Sequence, residues 1–287
     1  VNRRGFFLGC AACALPPAAA AQDDEASLWA HMEREEERLR RSPFLIRDEA
    51  LNAYLRDLAC RLAGEHCPDV RVYVVRTPQY NATMAPNGML QIWSGLLLRM
   101  ANEAQLAAIL GHEIGHFVAR HGIARLREAK RRSAVGQTVG LGLTVFGWLG
   151  VAVSSLAQIG LSAGGAAYSR EHEREADRIG LDLMERAGYA PGEAARVWSE
   201  LRTEEDNTLF ATHPSPGDRA QALLEAAGGR GGRLGTDSYR RVLAPHRPLL
   251  LRDELLRGRY DETLALLERM PPDGEVLFYK GEAHRLR

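Results

Sequence analysis

The sequence predicts a mainly α chain of the α+β type: a helical domain with a small β-sheet bordering a cleft, followed by a helical tail. Three observations predict it. Apolar residues recur at helical spacing through Leu106, Ile109, Leu110, Ile114, Phe117 and Val118, and a second helical stripe runs through Glu173, Ala176, Asp177, Gly180, Leu181 and Met184. The turn Pro86-Asn87-Gly88 is a hairpin signal and marks the strand region. The 287 residues hold 37 Lys and Arg against 37 Asp and Glu, an ordinary globular composition with room for one large core and a smaller module. A neutral balance argues against nucleic acid as a partner.

The N-terminus reads as an address. Asn2-Arg3-Arg4-Gly5-Phe6-Phe7-Leu8 is close to a twin-arginine export signal, and Ala19-Ala20-Ala21 before Gln22 is an A-x-A-like cleavage site. Residues 1–21 are therefore expected to be an export signal peptide, too short to span a bilayer, and the mature chain to be periplasmic or otherwise exported. Asn2 and Gly9 depart from the twin-arginine pattern, so Sec export stays open, with lipidation at Cys10 as a third route. Asp23 to Arg41 then reads as a solvated leader helix with opposed charge blocks, Glu35 to Glu37 against Arg38 to Arg41. Cleavage would leave two cysteines, Cys60 and Cys67. In an oxidising compartment a disulfide between them would contribute about 2 kcal/mol by loop entropy; the rival reading is two buried thiols.

Leu110-Gly111-His112-Glu113-Ile114-Gly115-His116 carries the chemistry. On an α-helix positions i and i+4 face one way, so His112 and His116 can bind one Zn²⁺ per chain, with Glu113 beside its open position. The context supports a helix here, because Asn102 with Gln105 three residues on makes an N-terminal capping box. The implied chemistry is metal-assisted peptide hydrolysis with Glu113 as general base. Ala119 and Gly122 exclude a third ligand in the metzincin manner, and His121, five residues beyond His116, falls off the ligand face of a continuing helix.

The third ligand is expected in the acidic segment Tyr168-Ser-Arg-Glu-His-Glu-Arg-Glu-Ala-Asp177, read as a helix that continues through Met184 to Gly188. Glu173 lies on the inward stripe, while Glu171 and Glu175 point about 200° away with Arg170, Arg174 and Arg178 on a solvated, salt-bridged face. Asp177, one turn beyond Glu173, can accept the outer N–H of a zinc histidine and fix its tautomer.

The pair His-Glu-Ile-Gly-His and Glu-x-x-Ala-Asp resembles the zinc metallopeptidases that include the CAAX prenyl proteases, the membrane protease HtpX and soluble periplasmic relatives. The resemblance runs from about Asp48 to about Ala222. It implies a zincin-like helical domain over residues 22–227, zinc bound by His112, His116 and Glu173, and Glu113 as general base. Asn81-Ala-Thr-Met-Ala-Pro-Asn-Gly88 is similar to the family's segment leading into the edge strand beside the cleft. That implies a substrate-binding edge at Asn81, Ala82, Met84 and Ala85, where a peptide adds through its backbone with little regard to side chains. Ala211-Thr-His213-Pro-Ser-Pro-Gly-Asp-Arg219 resembles the family's loop carrying a histidine near the metal. His213 then has three readings: donor to the oxyanion, occupant of the open metal position in the absence of substrate, or a surface residue of a Pro-rich loop. The substrates implied are unfolded or misassembled proteins of the cell envelope.

Residues 133–169 carry no charge and are rich in Gly, Ala, Val and Leu. Eight glycines from Gly136 to Gly165, with Gln137, Ser154, Ser155 and Gln158, favour a pair of helices over the active site, with peripheral membrane contact, above a true span. Past Ala227, Gly228 to Gly235 reads as a linker. Leu249 to Met270 reads as two short helices around Gly258-Arg259-Tyr260, with Val276 to Arg287 as the first helix of a further, unfinished pair. The pattern over 228–287 resembles a tetratricopeptide hairpin, a type that docks an envelope partner or an unfolded chain. The rival function is therefore a chaperone-like client-binding protein with a latent zinc site.

Overall fold

The structure is a computed structural model and describes residues 17–125, 127–128, 168–201, 213 and 219–287. Among these, helix dominates and the only sheet has three strands. Residues 1–16 of the expected export signal, and residues 133–167 of the apolar segment, lie outside the described residues. No described helix is long and apolar enough to cross a membrane.

Helix α1 (Pro17–Arg41) ends where its charge run ends, but it is not simply solvated. Leu39 is buried with Val75, Met89 and Trp93 on the back of the sheet. Glu36 is buried too, accepting from Arg71 Nε and Nη2 at 2.6 and 2.7 Å, from Tyr73 Oη at 2.7 Å and from Asn87 Nδ2 at 3.0 Å. The expectation of a free leader helix is corrected by these donors, which come from residues 35 to 51 positions away and are invisible to local charge patterning.

Helix α2 (Glu49–Ala63) starts at Asp48, whose side chain accepts from Leu51 N, and buries Leu51, Leu55, Leu58 and Leu62 at helical spacing. Its end is joined to the following turn (Gly64–Asp69) by the Cys60–Cys67 disulfide. The sheet follows: β1 (Arg71–Val75), β2 (Ala82–Met84) and β3 (Met89–Trp93), in the order β1-β3-β2, with β1 parallel and β2 antiparallel to β3. The hairpin at Pro86-Asn87-Gly88 closes through Gly88 N donating to Ala85 O at 2.9 Å, with Gly88 at φ 87°, a conformation that favours glycine.

Helix α3 (Ser94–Arg99) leads into α4 (Glu103–Val118), which is buried from Glu103 to His116. Asn102 caps α4 by accepting from Gln105 N; the Gln105 side chain reaches one residue further back than a capping box requires, to Ala101 N at 2.8 Å. Helix α5 (Arg170–Arg186) is capped by Ser169 and buries Glu173, Ala176, Gly180, Leu181 and Met184, most of the stripe expected from its sequence. It packs on α4 through small residues. A Cβ at Gly115 would lie 2.8 Å from Ala176 O, and one at Gly180 would lie 2.9 Å from His112 N, so the two backbones touch where the functional residues sit.

Helices α6 (Gly192–Leu201) and α7 (Arg219–Ala227) close the domain. The glycine-rich stretch after them is a loop, but a tethered one: Ala104 N donates to Leu234 O at 3.0 Å and Arg233 bridges Tyr189. The tail comprises α8 (Thr236–Leu243), α9 (Arg247–Leu256), α10 (Tyr260–Glu268) and α11 (Gly274–Leu286), the last three matching the helices expected there. Tyr239, Leu243, Leu250, Leu251, Leu266, Leu267 and Val276 share one core with Leu96, Leu97 and Leu106. A fully buried ion pair, Arg99 with Glu254 at 3.1 Å through both nitrogens, fixes α9 on α3.

Candidate metal centre

The α4–α5 crossing brings the expected donors together. His112, His116, Glu173 and His213 are all buried, and one ligand atom from each lies within 4.8 Å of every other. His112 Nε2 is 3.1 Å from His116 Nε2, 3.4 Å from Glu173 Oε2 and 3.2 Å from His213 Nδ1. Glu173 Oε1 is 3.4 Å from His116 Nε2 and 3.1 Å from His213 Nδ1. Ligand bonds of about 2.0–2.1 Å to a tetrahedral zinc imply ligand–ligand edges of about 3.3 Å, so the cluster has the size of one coordination tetrahedron. Glu173 Oε2 is buried with no well-formed hydrogen bond among the described residues, its nearest groups being Arg219 at 3.3 Å and His112 Nε2 at 3.4 Å, and a cation at the centre would satisfy it. The set of imidazoles and a carboxylate suits zinc chemistry, and the residues fit the metal that the sequence implies.

Glu113 sits on the same turn, its Oε1 3.2 Å from His213 Nε2. The backbone N–H of Met84 faces its carboxylate and lowers its pKa, which puts β2 beside the centre. In the β2–β3 ladder, Asn81 O accepts from Trp93 N and Ala85 N donates to Met89 O, both at 3.0 Å. By the alternation of an antiparallel ladder, Ala82 and Met84 turn their backbone groups to the open edge while Asn81 and Ala85 spend theirs on β3. Of the four edge residues expected from sequence, Ala82 and Met84 therefore turn their backbone groups away from β3, while Asn81 and Ala85 pair with it.

Asp177 lies 2.9 Å from His112 Nδ1, where its spacing from Glu173 put it. Sequence reasoning missed its partner: Arg219 forks onto Asp177 at 2.9 and 2.5 Å, lies 3.3 Å from Glu173 and stacks on Trp198 with its guanidinium 3.5 Å from the ring centroid. Arg219 Nη2 is also 3.0 Å from His112 Nδ1, but its closer contact with Asp177 leaves the carboxylate as acceptor for the ring N–H. Tyr168 was missed too, and stacks on His116 at 3.9 Å between centroids. His121, set aside as a ligand, stands behind His116 with the two Nδ1 atoms 3.0 Å apart, and Glu175, expected in a solvated face, lies 3.2 Å from His121 Nε2. No local signal marks these residues, because each reaches the centre through a loop or across the helix crossing.

Burial is the largest single influence on each group of the centre, though not always the deciding one. It pushes the Glu113 carboxyl up, against the attraction of His213 and His112 and the Met84 hydrogen bond. At Glu173 burial is outweighed by hydrogen bonds from His112, His116 and His213, which hold the carboxyl well below its ordinary range. At Asp177 burial is outweighed mainly by Arg219, again lowering it. His116 is driven down by burial; His112, opposed by burial and by Arg219, is carried up to about 9 by Asp177 and Glu173. Negative charge thus concentrates on Glu173 and Asp177, around donors that a cation would share.

Residues 46–227 match the model of peptidase family M48. The chain is 30% identical over 202 residues to the beta-barrel assembly-enhancing protease of Escherichia coli (strain K12), covering 63% of this chain and 40% of that protein. It is 31% identical over 159 residues to the mitochondrial metalloendopeptidase OMA1 of Schizosaccharomyces pombe, covering 54% and 45%, and 29% identical over 163 residues to the metalloprotease YcaL of E. coli, covering 54% and 61%. The chain thus spans roughly two fifths to three fifths of the length of these curated relatives. The family's match covers more than half of the residues and includes all four donors of the centre, and the chain belongs to peptidase family M48.

Proposed function

We propose that the chain is a zinc-dependent metalloendopeptidase that hydrolyses peptide bonds of unfolded or misassembled cell-envelope proteins. The observation that carries the reading is the buried cluster His112, His116, Glu173 and His213 with Glu113 against it. His112, His116 and Glu173 would hold one zinc ion, with Asp177 orienting His112. Zinc, when bound, supplies Lewis acidity towards a scissile carbonyl and acidifies water. Glu113 takes the proton from the attacking water and returns it to the leaving amine, a role suited to a carboxyl raised by burial. Ala82, and Met84 through its carbonyl, at the edge of β2 turned away from β3, would hold the substrate as an added strand, which favours breadth over sequence preference. Envelope substrates are supported by the export-like N-terminus and by relatives named for β-barrel assembly. A tetratricopeptide-like role for α9–α11 in docking an envelope partner is supported by Leu277 and Phe278, 61% and 62% exposed on α11.

A second reading, a latent site on a client-binding protein, is favoured by one observation. His213 Nδ1 approaches His112 and Glu173 at 3.2 and 3.1 Å, at the corner that substrate or water would need. The test is cleavage of an unfolded reporter by the zinc-loaded chain beside Glu113→Gln, with bound zinc quantified in both. Cleavage by the first alone at equal zinc supports the peptidase. Zinc in both without cleavage in either supports the latent reading, and His213→Ala should then release activity.

A further inference from the structure

We propose that His121 and Glu175 form a relay that positions His116 for metal binding, so that metal affinity depends on a histidine outside the ligand set. The inference rests on the metal reading of His112, His116 and Glu173 given above.

The relay exists because α4 stops. After Val118, Ala119 is still helical but Arg120 adopts φ 57°, a left-handed conformation unusual for a residue with a side chain. Arg120 O accepts from Ile123 N and Ala124 N, both at 3.1 Å, so a new turn begins at once in another direction. The reversal returns His121 beneath His116, where a continuing helix would have carried it away. His121 is only 3% exposed.

The tautomers follow from the partners. Glu175 Oε2, 3.2 Å from His121 Nε2, can only accept, so His121 carries its proton on Nε2 and offers a lone pair at Nδ1. His116 Nδ1, 3.0 Å from that lone pair, must then be the protonated nitrogen, which leaves its Nε2 free to face the metal. Stacking holds both rings in place: Tyr168 lies on His116 at 3.9 Å and 21°, and His172 lies on His121 at 4.3 Å and 24°. His112 needs no such relay, because Asp177 reaches it directly. Glu175, two residues from Glu173 along α5, points to another face, and His121 spans the gap between that carboxylate and His116. His121 is thus a positioning residue: it supports a ligand without touching the metal or the substrate.

The test is a zinc competition titration against a chromophoric chelator, on the full chain and on His121→Leu, His121→Asn and Glu175→Ala, with thermal melts of the metal-free proteins alongside. Leu fills the space but removes the acceptor, and is expected to weaken zinc binding by about 10- to 100-fold. Asn keeps an acceptor oxygen near the place of Nδ1 and should recover most of that loss. Glu175→Ala, at a side chain 51% exposed, should leave the fold intact and give a smaller loss in the same direction. The inference is overturned if His121→Leu binds zinc like the parent chain, or if Asn loses as much as Leu, since mere space-filling predicts Leu to be the milder change. Absence of zinc binding by the parent chain would instead overturn the metal reading itself, and the relay with it.

Discussion

Gly180 of α5 meets the backbone of His112 on α4 so closely that a Cβ at Gly180 would lie 2.9 Å from His112 N and 3.0 Å from Gly111 C. Backbone atoms cannot move aside as a flexible side chain can. This contact sets the separation of the two helices, and with it the distance from Glu173 to the two histidines of α4. Gly180→Ala is expected to destabilise the protein by about 1–3 kcal/mol and to weaken zinc binding as well. Thermal unfolding and zinc titration of the variant check both effects; a normal affinity would mean that the crossing does not set the site.

Buried Arg219 and partly buried Asp177 form an ion pair beside His112. Removing Asp177 leaves Arg219 only Glu173, at 3.3 Å, as a carboxylate partner, and the loss is expected to fall short of the about 3–5 kcal/mol of a fully stranded buried charge. Asp177→Ala should therefore lose stability even without metal, measured by denaturant unfolding, whereas Glu113→Gln should not. The contrast separates a residue that supports the fold from one held for chemistry.

The tail should unfold with the domain. Glu254→Ala removes the carboxylate facing the fully buried Arg99 guanidinium, with an expected loss of up to about 3–5 kcal/mol, and the double variant Arg99→Met with Glu254→Leu should recover most of it. Far-ultraviolet circular dichroism and tryptophan fluorescence should report one coincident transition. A separate early loss of helix would mean that α9–α11 is an independent unit.

Acid should loosen α1 from the sheet. Burial raises the Glu36 carboxyl, but its hydrogen bonds with Arg71 and Tyr73 and the Arg71 charge outweigh that and hold it below its ordinary value of 4.5. A depressed carboxyl contributes stability that is present above its unfolded pKa and lost as pH falls through the folded one. The stability of the parent chain should accordingly fall below about pH 4.5, and Glu36→Gln should flatten that part of the profile.

Chelation should lower the melting temperature reversibly. A ligand bound only by the folded state at 100 times its Kd adds about 2.7 kcal/mol. Melts in chelator, then in excess zinc, measure the difference.

Much of the centre was legible because its logic is local. The i, i+4 spacing of His112 and His116, the cap at Asn102, and the one-turn step from Glu173 to Asp177 are properties of single helices. The turn that Gly88 closes on Ala85 and the pairing of Cys60 with Cys67 span fewer than ten residues each. Reading α1 as a solvated helix failed because Glu36 finds Arg71 and Tyr73 on a strand more than thirty residues away. Setting His121 aside rested on a helix that would continue past Val118, and the left-handed turn at Arg120 ended it.

The sequence by itself determined which helices form and which residues they turn inward, since periodicity and capping are encoded within a turn or two of each residue. Only the tertiary structure decided what stands behind those residues: Arg219 behind Asp177, His121 and Glu175 behind His116, Met84 N–H against Glu113. Those contacts join segments that a chain reversal and a glycine-lined helix crossing bring together, and hydrophobic periodicity carries no record of either.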